Sequence, residues 1–457
     1  MPTPAPDFDR LRSSIPPGIE DAANRLRRAG GQAWIVGGAV RDLLLERSVR
    51  DWDLATDLLP GRVLEVFPGA LDVGARFGTV TIPGPSGFEI TTFRSDGDYS
   101  DARHPDTVTF SASLEDDLIR RDFTVNALAF DPTAARLVDL GNGLADLTTR
   151  TLRTVGDPAA RFREDALRLL RAVRFAATLD FAIEPHTMRG IVGSASGIVR
   201  VAPERIRTEL DRILELPRPS RAFVLLFETG LLRRILPELA ACYGVAQNPH
   251  HAFDVFHHSL AALDRSDPGN PVVRLAALLH DVGKPETRAE SDFTATFFSH
   301  QLRSEEHAER ILRRLRYPNQ MRDAVAHLVH HHMFHYTEEW TDAAVRRFLR
   351  QVGPDRVEDL FAMRAADTLG NGLRTRVAPE LARLRERIDL EVTAANALSI
   401  RDLAVGGNDL MATLGLAAGP RLGRILNGLL EAVLEDPARN NRAQLLTLAE
   451  TLDRELD

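Results

Sequence analysis

The sequence predicts a mixed α/β N-terminal part followed by an all-helical remainder. From Trp34 to about Val138, short β-branched or aromatic stretches alternate with glycine, proline and aspartate turns, which is typical of a mixed β-sheet. After Asp157 and Pro158 the apolar residues take up helical spacing, and they keep it nearly to the C-terminus. A chain of 457 residues is long enough for several compact units.

The composition is that of a globular protein of a reducing compartment. Hydrophobic residues make up 44% of the chain and charged residues 27%. No apolar run reaches the roughly 18 residues that span a bilayer, and the N-terminus lacks the basic and apolar parts of a signal peptide. Cys242 is the only cysteine, which excludes an internal disulfide. We therefore expect a cytoplasmic protein with no membrane partner, and the sequence leaves its oligomeric state open.

The charge balance argues against a surface that binds nucleic acid everywhere. The formal net charge is −8, so that any contact with nucleic acid has to be local. Lys284 is the only lysine, and arginine supplies all the other cationic side chains. A genomic preference for arginine codons accounts for most of this pattern. A single retained ammonium still indicates a place where a planar guanidinium does not serve.

A glycine pair joins the first predicted strand to a helix. The strand AWIV leads into Gly37 and Gly38, and a helix begins around Ala39 with Arg41 in its first turn. Backbone amides at such a turn can approach a triphosphate, because glycine has no side chain in the way and a helix N-terminus favours negative charge. As a lone feature, a glycine pair before a helix is more often a packing turn.

Three carboxylates follow on predicted strands. Asp51 and Asp53 flank Trp52 in an apparent strand, and alternation places both carboxylates on one face. Hard oxygen ligands together with nucleotide phosphates are the usual way in which Mg²⁺ is held, and two such ions can assist an in-line displacement. Glu89 is a third candidate ligand, from another strand. The alternatives are two solvated aspartates and a surface glutamate.

An aspartate and an arginine stand three residues apart in the helical segment RFREDALRLLRAVRF. This spacing predicts that Asp165 and Arg168 lie on one helical face, with an acceptor beside a donor. Cytosine and adenine each present an exocyclic amine beside a ring-nitrogen acceptor, so that a carboxylate and a guanidinium can pair with either base. Uracil and guanine present the reverse arrangement and would leave buried groups unpaired. Without further context, the pair is an ordinary surface ion pair.

Four motifs in order carry a resemblance to a known family. GGAVRD with the following DWD, then TTFRSDGDYSDARHPDTVTF, then RRDFTVNALAF, then REDALRLLRAVRF, resemble the bacterial and eukaryotic class of tRNA nucleotidyltransferases. The same motifs occur in the related bacterial poly(A) polymerases, within the polymerase-beta-like superfamily. The resemblance is strong over the first half of the chain and softer over the tail.

The resemblance implies a division of labour along the chain. It implies a catalytic nucleotidyltransferase head (residues 1–150) and a helical neck (151–216) that binds the nucleotide base and the acceptor end of tRNA. A helical body (217–375) with an HD domain and a helical tail (376–457) that contacts the tRNA elbow would follow. The expected reaction is addition of C, C and A to the 3′ end of tRNA from CTP and ATP with Mg²⁺, without a nucleic-acid template. Catalytic roles are implied for Asp51, Asp53 and Glu89. Asp122 is expected to contact the ribose of the nucleotide. Other contacts to the nucleotide are implied for eight residues: Gly37, Gly38, Arg41, Arg121, Asp165, Arg168, Arg171 and Arg174.

One loop bears on which nucleotides are added. Relatives that add only the two cytidines lack much of the stretch that here reads TTFRSDGDYSDARHPDTV, and this chain keeps it. It departs from the family in reading Arg103-His104-Pro105, where two arginines commonly precede the proline. We therefore expect complete CCA addition, with A-only and CC-only addition as alternatives.

A histidine-rich stretch from about Ala246 to Asp367 suggests a second metal site. His280 and Asp281, with Gly283, Lys284 and Pro285 following, resemble the signature of an HD domain. The resemblance implies four ligands, His258, His280, Asp281 and Asp367, for Mg²⁺ or for a transition metal such as Mn²⁺ or Ni²⁺. His300 and His332 could extend the site to a second ion, and Lys284 would aid phosphate binding. The alternative is a helical scaffold without activity.

Arginines of the tail, at positions 421, 424, 439 and 442, offer charge to a phosphate backbone. Without the resemblance, solvated helix faces are the more common explanation for such residues.

The sequence leaves two alternative functions open. One is a poly(A) polymerase, against which the acidic balance and the short acidic C-terminus TLDRELD argue. The other is a metal-dependent phosphohydrolase of the HD type, in which the head is a degenerate nucleotide-binding module.

Overall fold

The computed structural model describes residues 7–74, 78–84, 87–96, 108–110, 113–248, 251–291, 294–394 and 397–456. The chain divides into two compact units, Met1–Ala240 and Ala241–Asp457. A mixed sheet lies in the first unit, and helices make up most of the rest, so that the predicted fold class is confirmed. The division into head, neck, body and tail stays a prediction.

The first unit contains eleven strands among its described residues. They are β1 (Trp34–Val36), β2 (Trp52–Thr56), β3 (Leu71–Gly74), β4 (Thr79–Ile82), β5 (Phe88–Thr92), β6 (Arg94–Asp96), β7 (Val108–Phe110), β8 (Leu128–Asp131), β9 (Arg136–Asp139), β10 (Thr151–Leu152) and β11 (Ala182–Ile183). Seven of them form one sheet in the order β3-β4-β5-β2-β1-β8-β9. Neighbouring strands of this sheet are antiparallel, except for β2 and β5, which are parallel.

The centre of this sheet is buried and apolar. Ile35, Leu54 and Ile90, from β1, β2 and β5, are fully buried, which is why these short β-branched and aromatic segments form central strands. Trp34 and Phe93 belong to a cluster of buried side chains on the sheet. The sheet is therefore a rigid base for the polar side chains at the ends of its strands.

The same unit contains thirteen α-helices among its described residues. They are α1 (Phe8–Ser13), α2 (Pro17–Arg28), α3 (Gly38–Leu44), α4 (Pro60–Val66), α5 (Leu114–Ile119), α6 (Gly143–Thr148), α7 (Pro158–Glu164), α8 (Leu167–Leu179), α9 (Pro185–Ser194), α10 (Pro203–Leu214), α11 (Ser220–Glu228), α12 (Leu232–Ile235) and α13 (Pro237–Ala240). Short 3₁₀ helices cover Thr124–Asn126 and Ala195–Arg200.

Two local predictions were wrong. Asp51 precedes β2 instead of lying within it. The apolar pattern of RRDFTVNALAF predicts a strand that contains Asn126, but Asn126 lies in a 3₁₀ turn. In the second case the Asn126 side chain donates to Asp122 and accepts from Arg41, so that buried polar contacts hold a turn where the apolar pattern favours a strand.

The second unit is helical apart from one hairpin, among its described residues. Its helices are α14 (Val255–Arg265), α15 (Pro271–Leu279), α16 (Lys284–Thr287), α17 (His300–Arg314), α18 (Asn319–His331), α19 (Asp342–Val352), α20 (Val357–Gly370), α21 (Pro379–Thr393), α22 (Gly407–Leu414), α23 (Pro420–Glu435) and α24 (Arg442–Glu455). The hairpin pairs β12 (Arg288–Ser291) with β13 (Thr294–Phe297). Short 3₁₀ helices cover Pro354–Arg356, Ile400–Asp402 and Pro437–Arg439.

A buried arginine anchors the C-terminal helices of this unit. Arg346, on α19, is only 6% exposed. Its Nε donates to the Leu434 carbonyl at 2.7 Å and its Nη2 to the Glu435 carbonyl at 3.1 Å, while Nη1 pairs with Glu391 at 2.9 Å. These carbonyls belong to the last turn of α23, where a helix lacks intrahelical donors and favours a cation.

Candidate functional site

One cavity of about 1170 Å³ opens in the first unit. Twelve of the residues that the sequence analysis selected line it, and they come from segments up to 137 positions apart in the chain (from 37 to 174). They are Gly37, Gly38, Arg41, Asp51, Asp53, Glu89, Arg121, Asp122, Asp165, Arg168, Arg171 and Arg174. The sequence predictions thus converge on one place, although their chemical roles are not tested by position alone.

The acidic end of the cavity is built by two parallel strands. Asp53 on β2 is the register partner of Glu89 on β5, so that adjacent strands present their carboxylates side by side. Asp51 also lines the cavity, two positions before Asp53 in the chain. Burial, assisted by the neighbouring carboxylates of Glu89 and Asp51 and opposed by Arg121, raises the pKa of Asp53 to about 6. A group of carboxylates that repel one another in this way is a fitting ligand set for a divalent cation.

Gly37 allows Arg121 to lie across the glycine turn. Its φ is +71°, and an added Cβ would stand 2.7 Å from Nη1 of Arg121. Only glycine meets both conditions. Arg121 is held from behind by Asp117, whose Oδ2 accepts from Nη2 at 3.0 Å and whose side chain is fully buried. The guanidinium is therefore fixed between the glycine turn and the acidic strands.

Arg41 is similarly fixed. Its Nη1 donates to Oδ1 of Asn126 at 2.6 Å, and its Nε donates to Asp42 at 2.9 Å. The guanidinium also lies over the Phe175 ring, with Cζ 5.3 Å from the ring centroid. Arg41 is therefore a positioned charge on the cavity wall, and its orientation does not depend on a ligand.

The opposite wall is a network of arginines and acids. Nε of Arg171 donates to Oδ2 of Asp122 at 2.8 Å, and Nε of Arg174 donates to Glu209 at 2.6 Å. Burial on its own raises the pKa of Asp122, but Arg171, together with a hydrogen bond from Asn126, lowers it to about 2. Asp122 is thus ionised throughout the physiological pH range.

The predicted helical pair was only partly correct. Asp165 and Arg168 both line the cavity, but they do not lie on one helix, because α7 ends at Glu164 and α8 begins at Leu167. Asp165 has an extended backbone (φ −141°, ψ 106°), and its Oδ1 accepts from the Leu167 amide at 3.0 Å. Asp165 is thus the C-cap residue of α7, and its side chain accepts from the first amide of α8, whose N-cap residue is Ala166.

Each member of this pair has its own partner. Arg205, on α10, binds Asp165 through two contacts, Nη2 to Oδ2 at 2.8 Å and Nη1 to Oδ1 at 3.3 Å. Arg168 forms an ion pair with Glu164 and donates to the carbonyls of Arg161 and Arg120, each at 3.2 Å. The acceptor and the donor are therefore oriented independently of each other.

Sequence reasoning missed four residues that support the cavity: Asp117, Glu164, Arg205 and Glu209. Asp117 carried a signal, because it lies between Leu114 and Leu118 on the apolar face of α5. Glu209 lies in the same way beside Leu210 and Ile206 on α10. Charged residues at such positions are rarely buried without a partner.

A second cavity, of about 430 Å³, lies in the second unit. Two groups of side chains with metal-ligand spacing lie at this cavity: His258, His280 and Asp367, and then Asp281, His300 and His332. All of them line the cavity except His258, which lies behind His280 and Asp367. Nε2 of His258 lies 3.1 Å from Oδ1 of Asp367, and Nε2 of His300 lies 3.2 Å from Oδ1 of Asp281. All four ligands implied by the resemblance thus come together. The apolar pattern of RLAALLH predicts that His280 lies inside a helix, but His280 is the C-cap residue of α15, which ends at Leu279.

Four imidazole rings at this cavity form two pairs in which the Nε2 atoms face each other. Each ring directs Nδ1 at a backbone carbonyl: His258 at Gly370, His280 at Ala277, His300 at Phe297 and His332 at Val329. A carbonyl only accepts, so that Nδ1 carries the proton and Nε2 of each neutral ring carries a lone pair. Nε2 of His258 nevertheless lies 3.2 Å from Nε2 of His280, and Nε2 of His300 lies 3.3 Å from Nε2 of His332.

Asp281 completes this arrangement. Its Oδ1 is buried without a hydrogen-bond partner, while its Oδ2 accepts from Nζ of Lys284 at 2.6 Å. Burial lowers the pKa of His280, but the neighbouring carboxylates of Asp281 and Asp367 outweigh this effect and raise the pKa to about 10. A proton on His280 therefore supplies part of the positive charge that balances these two carboxylates. Burial and the neighbouring His280 lower the pKa of His332 to about 3.

The arginines of the tail are mostly engaged within the protein. Arg421 pairs with Asp453 at 2.7 Å, Arg442 with Asp409 at 2.7 Å and Arg439 with Asp436 at 3.6 Å. Arg424 forms no ion pair with the described residues. The predicted contact with a phosphate backbone is not tested by these pairs.

Among the helices of the described ranges, none combines the length and the apolar character that crossing a bilayer requires.

Comparison with known proteins identifies the family. Residues 33–153 match the family model "Poly A polymerase head domain", 180–243 match "Probable RNA and SrmB- binding site of polymerase A", and 287–449 match the model of tRNA nucleotidyltransferase domain 2. The CCA-adding enzyme of Geobacillus stearothermophilus is 35% identical over 92% of this chain and 93% of its own length. That of Levilactobacillus brevis is 34% identical over 92% and 94%, respectively.

A solved structure agrees with the sequence matches. The crystal structure of the Bacillus stearothermophilus CCA-adding enzyme in complex with CTP matches with a TM-score of 0.73 and 31% identity, over 97% of this chain and 99% of that one. The resemblance inferred from the four motifs is thereby confirmed. The chain belongs to the bacterial CCA-adding enzymes, a family of tRNA nucleotidyltransferases.

Proposed function

We propose that this protein adds C, C and A in turn to the 3′ end of tRNA, with CTP and ATP as donors and pyrophosphate as the leaving group. The names of the relatives and the CTP complex of one of them support this reaction. The observation that carries it is the single cavity that joins Asp53 and Glu89 to Asp165 and Arg168. Chemistry at a phosphate and selection of a base can occur together there.

Asp51, Asp53 and Glu89 would hold Mg²⁺. These side chains fit the ion, because all three offer hard oxygen donors and the repulsion among them is relieved by a cation. When bound, magnesium activates the attacking 3′ hydroxyl and neutralises charge on the leaving pyrophosphate. With a pKa of about 6, Asp53 is mostly ionised at neutral pH and therefore available as a ligand.

The basic residues would bind the nucleotide around this centre. Arg121 stands over the glycine turn beside the acidic strands, which is a suitable position for a triphosphate. Gly37 and Gly38 would let the backbone approach the phosphates, with Arg41 beside them. Asp122, ionised and fixed by Arg171, would accept a ribose hydroxyl, and Arg174 would approach the base.

Asp165 and Arg168 would replace a nucleic-acid template. The carboxylate accepts from the exocyclic amine of cytosine or adenine, and the guanidinium donates to the adjacent ring nitrogen. Uracil and guanine would set acceptor against carboxylate and donor against guanidinium, which leaves buried groups unpaired and costs more than a mismatch of shape. Separate anchoring by Arg205 and Glu164 keeps both groups in place before the nucleotide arrives.

The decisive experiment offers three tRNA transcripts, ending at the discriminator base, at C and at CC, with CTP alone, ATP alone and both. Complete addition on the first transcript with both nucleotides is the expected result. Failure to extend it with CTP would leave A-only addition, and arrest at CC would leave CC-only addition. Long homopolymeric tails from ATP would favour a poly(A) polymerase. Residues 97–107, in the loop that bears on this choice, lie outside the described residues.

We further propose that the second cavity is a metal-dependent phosphohydrolase site. The facing Nε2 atoms of His300 and His332 support it, because an unpaired buried acceptor pair is unfavourable without a cation. In the pair of His258 and His280, a proton on His280 takes the place of such a cation. His258, His280, Asp281 and Asp367 would hold one ion, and His300 and His332 would complete a second. Imidazole with carboxylate suits Mn²⁺ or Ni²⁺ as well as Mg²⁺. The metal would supply an activated water, and Lys284 would bind the phosphate.

Hydrolysis is tested with p-nitrophenyl phosphate, bis-p-nitrophenyl phosphate and 2′,3′-cyclic nucleotides, each with Mn²⁺, Ni²⁺ or Mg²⁺. Turnover of at least one ester that EDTA abolishes and one metal restores is expected. Tight metal binding without turnover would reduce this cavity to a structural site. A cytoplasmic location belongs to the same proposal, since tRNA and the nucleotides are found there.

A further inference from the structure

A third cavity lies in the first unit, away from the acidic strands. It measures about 480 Å³ and is formed by α7, α9 and the 3₁₀ turn Ala195–Arg200. Gly190 allows the two helices to pack closely, because an added Cβ would lie 2.5 Å from Cβ of Pro158. We call this cavity the arginine pocket. It is lined by Ala159, Phe162, Arg163, Arg189, Gly190, Gly193, Ser194, Ser196, Gly197, Val199 and Arg200.

The pocket has an uncompensated positive charge. Arg163, Arg189 and Arg200 line it, and no aspartate or glutamate does. All three arginines are exposed, and none forms an ion pair or a side-chain hydrogen bond with another described residue. The arginines of the large cavity differ, since Arg121 and Arg171, for example, are already paired with carboxylates. In a chain with a net charge of −8, three convergent unpaired guanidinium groups indicate an anionic ligand.

The other lining groups fit a phosphodiester. Ser194 and Ser196 add hydroxyl donors, and the open side of Gly193 has no atom within 4 Å of an added Cβ, so that a ligand can approach the backbone there. Guanidinium groups bind phosphate oxygens in bidentate fashion. No carboxylate, amide or imidazole is present to read the edge of a base, so that recognition would be independent of sequence.

Helix α7 connects this pocket to the large cavity. Ala159, Phe162 and Arg163 form one face of the helix and line the arginine pocket. Glu164 lies on the other face, where it binds Arg168 of the large cavity. The two cavities are therefore separated by about one helix diameter, roughly 10–12 Å. That is a distance which a few nucleotides of RNA can bridge.

We propose that the arginine pocket binds the sugar–phosphate backbone of the RNA substrate while the 3′ end of that RNA lies in the large cavity. The proposal rests on the proposed CCA addition for the identity of the RNA. The match of residues 180–243 to a model of an RNA-binding site of polymerase A supports it, since this range contains Arg189 and Arg200. The pocket itself would contribute affinity and register, and no chemistry.

The test compares two triple variants of the full chain that remove the same charge. One replaces Arg163, Arg189 and Arg200 with Gln. The control replaces Arg28, Arg150 and Arg265, which are also exposed and form no ion pair with the described residues. Binding of tRNA is measured by fluorescence anisotropy at several salt concentrations, and steady-state kinetics are measured with tRNA and with CTP. Thermal melting verifies that both variants fold.

The pocket variant should bind tRNA at least about tenfold more weakly and show a salt slope smaller by about two, because each phosphate contact contributes roughly 0.7–0.9 to that slope. Its kcat at saturating tRNA and its KM for CTP should stay within about twofold of wild type. An unchanged tRNA affinity, or an equal loss in the control variant, would overturn the inference. Absence of tRNA extension by the wild-type protein would instead refute the proposed function, whatever the binding data show.

Discussion

Arg205 fixes Asp165 from a helix forty positions further along the chain, with Nη2 2.8 Å from Oδ2. If Asp165 selects the base, Arg205 is a positioning residue for that selection. Without it, the carboxylate is free to turn toward Arg168. Because hydrogen bonds to charged groups contribute about 1.5–3 kcal/mol, the variant Arg205→Ala should lose roughly 10- to 100-fold in kcat/KM for CTP and ATP.

Discrimination against UTP and GTP should fall in the same variant, which a merely structural residue would not cause. The measurement is kcat/KM for all four nucleotides on tRNA ending at the discriminator base. Arg205→Lys keeps the charge with one contact and should be intermediate. Discrimination equal to wild type in Arg205→Ala would show that Asp165 does not depend on this ion pair.

Asp53 and the second cavity should be separable by mutation. In Asp53→Ala, nucleotide addition should fall by about a thousandfold or more, because a metal ligand at the reacting phosphate contributes several kcal/mol. Hydrolysis of phosphate esters should be unchanged. Asp57→Ala is the matched control, since Asp57 follows the same strand but does not line the cavity. Loss of both activities in Asp53→Ala would indicate a shared site or a folding defect.

Magnesium affinity should depend on pH through Asp53. Burial, with Glu89 and Asp51, raises its pKa to about 6 in the metal-free protein, above the ordinary value of 3.8. Between these two values the folded protein keeps a proton that the unfolded chain has lost, so that stability contributed by protonated Asp53 is lost as pH rises toward 6.

Bound Mg²⁺ competes with the same proton. Its apparent affinity should be about tenfold weaker at pH 5 than at pH 7, since one pH unit below the pKa leaves about a tenth of the group ionised. Isothermal titration at the two pH values measures this. In Asp53→Asn the pH dependence should largely disappear, and its persistence would assign the proton to another group.

Gly37 should tolerate no side chain. Alanine there would meet both the left-handed backbone at φ +71° and Nη1 of Arg121 at 2.7 Å. Gly37→Ala should cost about 1–3 kcal/mol of unfolding free energy and should raise the KM for CTP, because Arg121 has to move. Chemical denaturation and kinetics measure the two effects. Gly61→Ala, at a helical glycine with open space, should be close to neutral; equal effects of the two substitutions would contradict this account.

Removal of Asp281 should empty the second cavity of metal. Asp281→Asn should lower the metal content of the purified protein, measured by mass spectrometry, and abolish ester hydrolysis, while nucleotide addition stays within about twofold of wild type. His327→Gln is the control, because His327 binds the Val352 carbonyl and is not among the clustered ligands. Full metal content in Asp281→Asn would show that the facing histidines bind no ion through this carboxylate.

The sequence contained the parts of the site that depend on short spacing. Asp51 and Asp53 are only two positions apart, and both line the large cavity although Asp51 precedes β2. Glu89 lies beside Asp53 because β5 pairs with β2 in register. The sequence predicted that Glu89 lies on another strand, but it did not predict this pairing. The motif also predicted the candidate metal ligands of the second cavity, and the structure brings these side chains close together.

The parts that could not be predicted depend on tertiary contacts or on competition between local preferences. The i, i+3 spacing of Asp165 and Arg168 predicted one helix, but α7 ends at the extended backbone of Asp165, whose side chain accepts from the first amide of α8. Arg205 and Glu209 act on residues about 35 to 40 positions away, and nothing in the helical pattern of α10 states which of its polar residues turn inward. The roles assigned to all these side chains stay predictions.

Arg346 has a consequence for the use of shortened forms of the protein. Its guanidinium takes two of its contacts from the carbonyls of Leu434 and Glu435. Deleting the chain from α23 onward would leave the buried guanidinium of Arg346 without these two acceptors. A buried charge that lacks its partners lowers the free energy of unfolding by several kcal/mol. A fragment that ends near residue 400 should therefore aggregate or unfold, and its failure to act on tRNA would say nothing about where tRNA binds.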